Sequence, residues 1–564
     1  MRLKTYHLVF LVFFGVLIPH FLSANFTSGD SRWSIPTSIS ILREGNTNLD
    51  EYRPYIDTFD YRVERIDEHV YTVYPVGVSV LALPVVALAE VIPDSLWNLH
   101  LDAVEFGAPR PAEKFAASSI IALAAVFMFL MARLYLEPYP ALLIAFIFAY
   151  CTSAWSIGST ALWQHGSSML LLAMALYFLL RAKDNPRYIY PVGFVLAFSF
   201  VIRPTNSISI VLMSAYVLLM YPRRLPGFLL GAALVAMPFV LYNEHIYGSW
   251  ISPYYTPGKV GTDANLDEAL IGNLISPSRG LFIFSPVMIF APVGIWLKIR
   301  RREFEKLDTV ITMVIFLHWI MISSFNHWWG GHAFGPRYFS DVMPYFVYLL
   351  IPVLRYVRKP GVMWVFALTI SFSFFVHYHG ANSVEALLWD SRPIAVDWAR
   401  ERLWDWDDPS FLRGVFREPP PFYLLENPDL VMEFNRTFPG SGWSEAEYNS
   451  NGRSFMWTTS NRSTIEFTFI DNHVPAQLQF YLSQSMSKAV LDSLTVTIND
   501  SPIPMRHFRG VSSDAMYIGT IAPAILHDNN RLVIETIELS AATDTDSRTL
   551  GAAFDYLEII LLDE

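Results

Sequence analysis

Cysteine is nearly absent: 564 residues hold one, Cys151, inside an apolar stretch. A disulfide within the chain and a cysteine-based metal site are thereby excluded. Charge is scarce as well, at 16% of residues where a soluble domain carries about 25%. There is no excess of positive charge. The net charge is −11, and the basic residues come in short clusters between apolar runs. That is a topology signal and not a nucleic-acid patch. The scarcity is uneven. Up to about Gly380 the chain is a series of apolar runs, and beyond Pro419 its composition is that of an ordinary soluble domain.

The apolar runs of near-membrane length are Leu8–Leu22, Phe115–Met131, Ala141–Trp155, Leu162–Leu180, Tyr188–Ile202, Ile208–Met220, Leu225–Tyr242, Leu281–Leu297, Val310–Ser323, Tyr338–Leu354 and Val362–His377. Together they predict a mainly α, polytopic membrane domain with about eleven transmembrane helices. The first run, behind Arg2 and Lys4, has the shape of a secretory signal but is read as an uncleaved anchor. Loops rich in Arg and Lys alternate with loops rich in Trp, His, Tyr and Gly. The positive-inside rule places the first set, and the N-terminus, in the cytoplasm. An odd number of spans then puts the C-terminal domain outside. Tyr74–Ile92 is long enough to cross, but crossing would invert every later loop. It is therefore read as a re-entrant or interface-lying helix interrupted at Pro84.

The polar residues of the outward loops are functional candidates, because charge beside a bilayer is costly. The first outward loop, 24–111, opens with Ser28-Gly29-Asp30-Ser31-Arg32-Trp33, followed by Ile35, Ile39 and Leu42 at the spacing of a surface helix. Asp30 is either a helix cap or a base. Later outward loops hold Trp163-Gln164-His165-Gly166, Arg203-Pro204-Thr205, Arg279-Gly280, and Asn326 to Tyr338 with His327, His332 and Gly335-Pro336-Arg337. Trp328 and Trp329 read equally well as interface anchors. Arg279 and Arg337 sit beside Gly or Pro at span mouths, where an anion can be held by paired hydrogen bonds.

These features resemble the GT-C glycosyltransferases, in the branch of the protein O-mannosyltransferases and the lipid A aminoarabinose transferase. The match lies in Asp30 after the first span, the surface helix behind it, Tyr74-Pro75 opening a non-crossing helix, and Gly335-Pro336-Arg337-Tyr338. It covers residues 1–380. The resemblance implies a GT-C fold, a polyprenyl-phosphate sugar donor, and for Asp30 the role of base or acceptor-positioning group. Several members have two adjacent acids where this chain has Asp30-Ser31, so a divalent metal is open, with Glu51, Asp57 or Asp60 as the second carboxylate. A phosphate leaves readily, so one base plus cations suffices and the displacement inverts the anomeric carbon. Asp30 is expected as the base and Arg279 and Arg337 on the donor phosphate. His165, His327, His332, Arg203 and Tyr254 are expected on sugar or acceptor. The acceptor is a glycan, lipid or protein.

After a connector, 381–435, the period changes to alternation. Strands are expected at Thr464–Ile470, Gln477–Leu482, Ser493–Ile498, Arg531–Ile537 and Phe554–Leu562, with a turn at Asn499-Asp500. Residues 436–564 are read as a jelly-roll-like β-sandwich similar to carbohydrate-binding modules. Trp443, Arg453 and Trp457 line a glycan surface or pack internally. Two rival functions use the same outward residues: a flippase for lipid-linked saccharide, and a non-catalytic cell-surface assembly protein.

Overall fold

The computed structural model describes residues 4–26, 29–56, 61–91, 110–256, 265–390, 396–397, 399–415, 430–434, 439–448, 454–468, 475–509, 515–527, 529–536, 539–543 and 546–562. The chain divides into two compact units, Met1–Trp389 with Leu403–Pro419, and Asp390–Arg402 with Pro420–Glu564.

The first unit is helical. Among the described residues, four helices are long and apolar enough to cross a membrane: Pro111–Ala132, Pro222–Tyr247, Lys306–Ser323 and Pro360–Asn382. Shorter apolar helices occupy Thr5–Phe21, Val76–Val91, Pro138–Tyr150, Pro186–Ile202 and Pro204–Met220. Two of the expected runs are not continuous helices. Leu281–Leu297 is divided into Leu281–Phe284, a 3-10 turn Pro286–Ile289, and Phe290–Arg300. Tyr338–Leu354 becomes a 3-10 turn Arg337–Val342, then Met343–Tyr348 and Ile351–Tyr356. Pro286, Pro344 and Pro352 stand at the first positions of these pieces. There the missing N–H costs nothing, whereas inside a helix it would break the ladder.

Pro84 behaves the other way. It lies within one helix, Val76–Val91, and does not interrupt it as expected from the sequence. This helix runs beside Ser34–Arg43, tied by Ser38 Oγ donating to Ser79 O at 2.8 Å and by Arg43 with Glu90 at 2.8 Å.

Close helix contacts use glycine. A Cβ on Gly193 would lie 1.9 Å from Phe228 O, and one on Gly231 would lie 2.7 Å from Tyr190 O. Gly227 and Gly231 form a small-xxx-small pair that lets the helix Leu225–Tyr247 approach Ile189–Ile202 backbone to backbone. Buried polar groups bridge other helices. His377 joins Ser156 at 2.9 Å through Nδ1 and Ser285 at 2.8 Å through Nε2.

Among its described residues the second unit carries two large antiparallel sheets and a two-stranded one, Ser540–Thr543 with Asp546–Leu550. One orders Ser501–Ile503, Thr495–Ile498, Asn529–Glu535, Arg462–Thr468 and Gly440–Ser441. The other is built around Ala476–Ser485, Ala515–Ile521 and Ala552–Leu561. Ile465, Val496 and Leu532 of the first share a core with Phe480, Tyr517 and Phe554 of the second. Asn499 and Asp500, at φ 49° and 63°, make the tight two-residue turn of a hairpin. Trp443 packs on Phe434 and Phe554 and donates its indole N–H to Thr464 O at 2.9 Å. Trp457 is 7% exposed. Trp457 is thus a buried side chain and Trp443 a half-buried one that packs on the core; Arg453 lies outside the described residues.

The contact of Gly193 with Phe228 O generates a stability prediction. Gly193→Ala should destabilise the purified protein by about 1–3 kcal/mol, the usual cost of overpacking. An unchanged thermal midpoint in detergent would contradict the close approach.

Candidate active site

The segment carrying Asp30 leaves the helix Thr5–Phe21 under firm tethers. Asn25 donates its N–H to Ala381 O at 3.0 Å, and its Nδ2 to Gly380 O at 2.9 Å and Ser383 O at 2.8 Å. Lys114 Nζ donates to Asn25 O at 3.0 Å and to Ser23 O. The following turn closes with Arg32 N–H on Gly29 O at 3.2 Å. Asp30 does not cap the surface helix. That helix starts at Ser34 behind Trp33 and has no side-chain cap. Instead the Asp30 carboxylate accepts the Tyr61 hydroxyl at 2.9 Å. The Tyr74 phenol is raised above its ordinary range by burial first, then by the charge of Asp30 and a hydrogen bond to it.

Asp30, Tyr74, Trp163, Gln164, His165, Arg203, Tyr254, Arg337 and Tyr338 line one cavity, open on one side to solvent. Trp163, Gln164 and His165 come from the start of the helix Gln164–Arg181. Arg203 comes from the turn after Ile189–Ile202, and Tyr254 from the 3-10 turn Pro253–Tyr255. Gln164 Oε1 joins two of these, accepting from Arg203 Nη1 at 3.2 Å and from Tyr254 Oη at 3.0 Å. Burial raises the Tyr254 phenol against the opposing pull of the Arg203 charge.

The wall is organised from behind by Asp341, whose side chain is 1% exposed. One carboxylate oxygen receives Arg203 Nε at 2.7 Å and Thr205 Oγ1 at 3.0 Å. The other lies 3.2 Å from His165 Nδ1. His318 holds the same 3-10 turn through Nε2 on Tyr338 O at 2.8 Å. Sequence reading missed Asp341. The available signal was an acid inside an apolar run, four residues after Arg337.

Arg337 differs from Arg203 in its pairing. Its guanidinium lies over the Trp163 ring at 5.0 Å and the Tyr338 ring at 5.3 Å, and its buried Nε has no hydrogen-bond partner. Among the described residues no carboxylate pairs with it. A cation on an aromatic shelf with a spare donor is suited to an incoming anion.

The loop leading to Arg337 turns at Gly330, Gly331 and Gly335, with φ of 79°, 62° and 72°. A Cβ at Gly335 would also lie 2.5 Å from the Phe284 ring. Arg279 is not on the cavity wall. It is buried, donating to Trp329 O at 2.7 Å, Ser278 O at 2.9 Å and Gly331 O at 2.9 Å, with Trp389 5.5 Å from its centre. His327 and His332 are exposed and do not line the cavity. Of the candidate second carboxylates, Glu51 accepts from Ser40 Oγ, while Asp57 and Asp60 lie outside the described residues. Among the described residues no group of three His, Cys, Asp or Glu side chains is placed to hold a metal ion.

No family model and no curated protein matches the chain. Among solved structures it is similar to ArnT from Cupriavidus metallidurans bound to undecaprenyl phosphate, at 12% identity and a TM-score of 0.44, over 70% of this chain and 67% of that one. It is also similar to the apo oligosaccharyltransferase of Archaeoglobus fulgidus, at 12% identity and a TM-score of 0.40, over 75% of this chain and 62% of that one.

Asp341→Ala would leave Arg203 buried without its counter-charge. Breaking a buried pair costs about 3–5 kcal/mol. The variant should therefore lose far more thermal stability than Asp30→Asn, which keeps the side chain's size and a hydrogen-bond acceptor for exposed Tyr61 and half-buried Tyr74. Equal melting midpoints for the two variants would refute the supporting role of Asp341.

Proposed function

We propose that this protein is a membrane glycosyltransferase that transfers a sugar, with inversion, from a polyprenyl-phosphate donor to an acceptor on the extracytoplasmic face. The observation that carries the reading is the cavity shared by the Asp30 carboxylate and the Arg337 guanidinium with its spare Nε donor. In this reading the eleven apolar runs span the bilayer with the N-terminus inside, and the C-terminal sandwich is of jelly-roll type.

The chemistry needs few groups. The acceptor oxygen or nitrogen attacks the anomeric carbon while Asp30 takes its proton. The bond from that carbon to the phosphate oxygen breaks, and the electron pair leaves with polyprenyl phosphate. Arg337 neutralises the charge that gathers on the phosphate as the bond lengthens. Arg203, His165 and Tyr254, which line the same cavity, present polar groups to the sugar. His327 and His332, exposed on the loop before Arg337, are proposed on the acceptor side. Arg279, whose donors meet main-chain carbonyls, is assigned to shaping that loop and not to the phosphate. A second carboxylate is not required, since phosphate needs no protonation to depart.

The test is transfer from radiolabelled polyprenyl-phosphate sugars by purified protein in the presence of membrane glycan extract. Asp30→Asn should abolish release of polyprenyl phosphate while donor binding persists. Losing one hydrogen bond to a charged group costs about 1.5–3 kcal/mol, so Arg337→Gln should weaken donor binding by about 10- to 150-fold at an unchanged melting midpoint. Arg279→Gln should instead lower the midpoint. Turnover by Asp30→Asn would sink the assignment, and donor movement across vesicles without bond cleavage would favour the flippase.

A further inference from the structure

A second cavity lies at the far end of the helical unit from Asp30. The helix Gln164–Arg181 begins at the first cavity with His165. It ends beside the second, where Lys183 pairs with Glu305, a residue of the second cavity's wall. Its 18 residues span about 27 Å, close to the thickness of a bilayer's hydrocarbon core.

The sequence separates the basic residues at this end into two clusters, Lys298–Lys306 and Arg355–Lys359, which read only as a topology signal. The fold brings them to one place. Lys298, Arg302, Arg355, Tyr135, Tyr348 and Tyr356 line the same cavity, with Ile351 and Pro352 as an apolar wall.

The charges there are not all spent. Lys298 is matched by Asp308 at 2.5 Å, and both bind the Tyr348 hydroxyl, at 2.9 and 2.8 Å. Glu305 is matched by Lys183. Glu303 accepts the Tyr356 hydroxyl and stands 3.8 Å from Arg355. Arg302 is exposed and has no ion pair among the described residues. Arg301 and Arg355 both stack on the Tyr356 ring, at 3.9 and 4.9 Å from its centre.

The backbone at Arg302 is a second, independent observation. The helix Phe290–Arg300 ends with Glu303 N–H on Lys298 O at 2.8 Å and Arg302 N–H on Ile299 O at 3.0 Å. This is the Schellman ending, in which the residue at Arg302's position is left-handed and is usually glycine. Arg302 adopts φ 61° there. A residue held in an unfavourable backbone region, where glycine would relieve it, is a pointer to a role for its side chain.

We infer that this cavity binds the phosphate of an anionic phospholipid headgroup, on the membrane face opposite the cavity of Asp30. Arg302 supplies the unpaired charge, Arg355 supplies further donors, and Ile351 with Pro352 faces the glycerol end. Basic pockets between helices on the cytoplasmic side suit such headgroups. A phosphate from solution has the same charge but no use for the apolar wall.

The test uses delipidated full-length protein in neutral detergent. Thermal midpoints are compared after adding short-chain phosphatidylglycerol, short-chain phosphatidylcholine or inorganic phosphate. The wild type should be raised several degrees by phosphatidylglycerol alone. Arg302→Gly should melt higher than wild type without lipid, because the left-handed strain is relieved, and should lose the phosphatidylglycerol shift. Native mass spectrometry should show phosphatidylglycerol retained by wild type and lost from both Arg302→Gly and Arg355→Gln. An Arg302→Gly variant that keeps the full shift overturns the proposal, as does an equal shift from phosphatidylcholine. Inorganic phosphate reproducing the shift overturns the lipid assignment.

Discussion

The buried carboxylate of Asp341 is the interaction on which the candidate site depends. It collects Arg203, Thr205 and His165 from two helix starts and a turn, and it sits in the same 3-10 turn as Arg337. A lone carboxylate in such surroundings would be prohibitively costly; paired with a guanidinium and two further polar side chains it is tolerated. The pairing also sets the character of the cavity. Arg203 reaches the wall with its charge already offset, while Arg337 arrives with a donor to spare.

A division of labour among the arginines follows. Arg203, Arg279 and Arg337 all stand beside Pro or Gly at helix mouths and look alike as sequence. In the fold, one is paired with a carboxylate, one spends its donors on the carbonyls of Trp329, Ser278 and Gly331, and one lies on an aromatic shelf with an unpartnered Nε. The glycines at 330, 331 and 335 complete this arrangement, because the loop presenting Arg337 turns through left-handed backbone at all three.

Local pattern carried much of the architecture. Apolar runs located the helices of the first unit, and alternation located strands such as Ala476–Ser485 and Ala552–Leu561 to within a few residues. Pattern was less informative where proline was concerned. Pro84 reads as a break and is accommodated, whereas Pro286, Pro344 and Pro352 stand at the start of new helical pieces inside runs that read as continuous. Hydropathy does not register the difference, since all of these residues are compatible with an apolar environment.

The sequence by itself determined the membrane character of the first unit, the change of period that marks the second, and the prominence of Asp30 directly after the first apolar helix. These are properties of composition and local spacing. Only the tertiary structure decided which distant residues share a cavity. Asp341 with His165 and Arg203, and Arg302 with Arg355, are separated by long stretches of chain, and their meeting is set by how the helices pack. The physical reason is that a charge's role depends on its partners, and partners are chosen by packing and not by sequence neighbourhood.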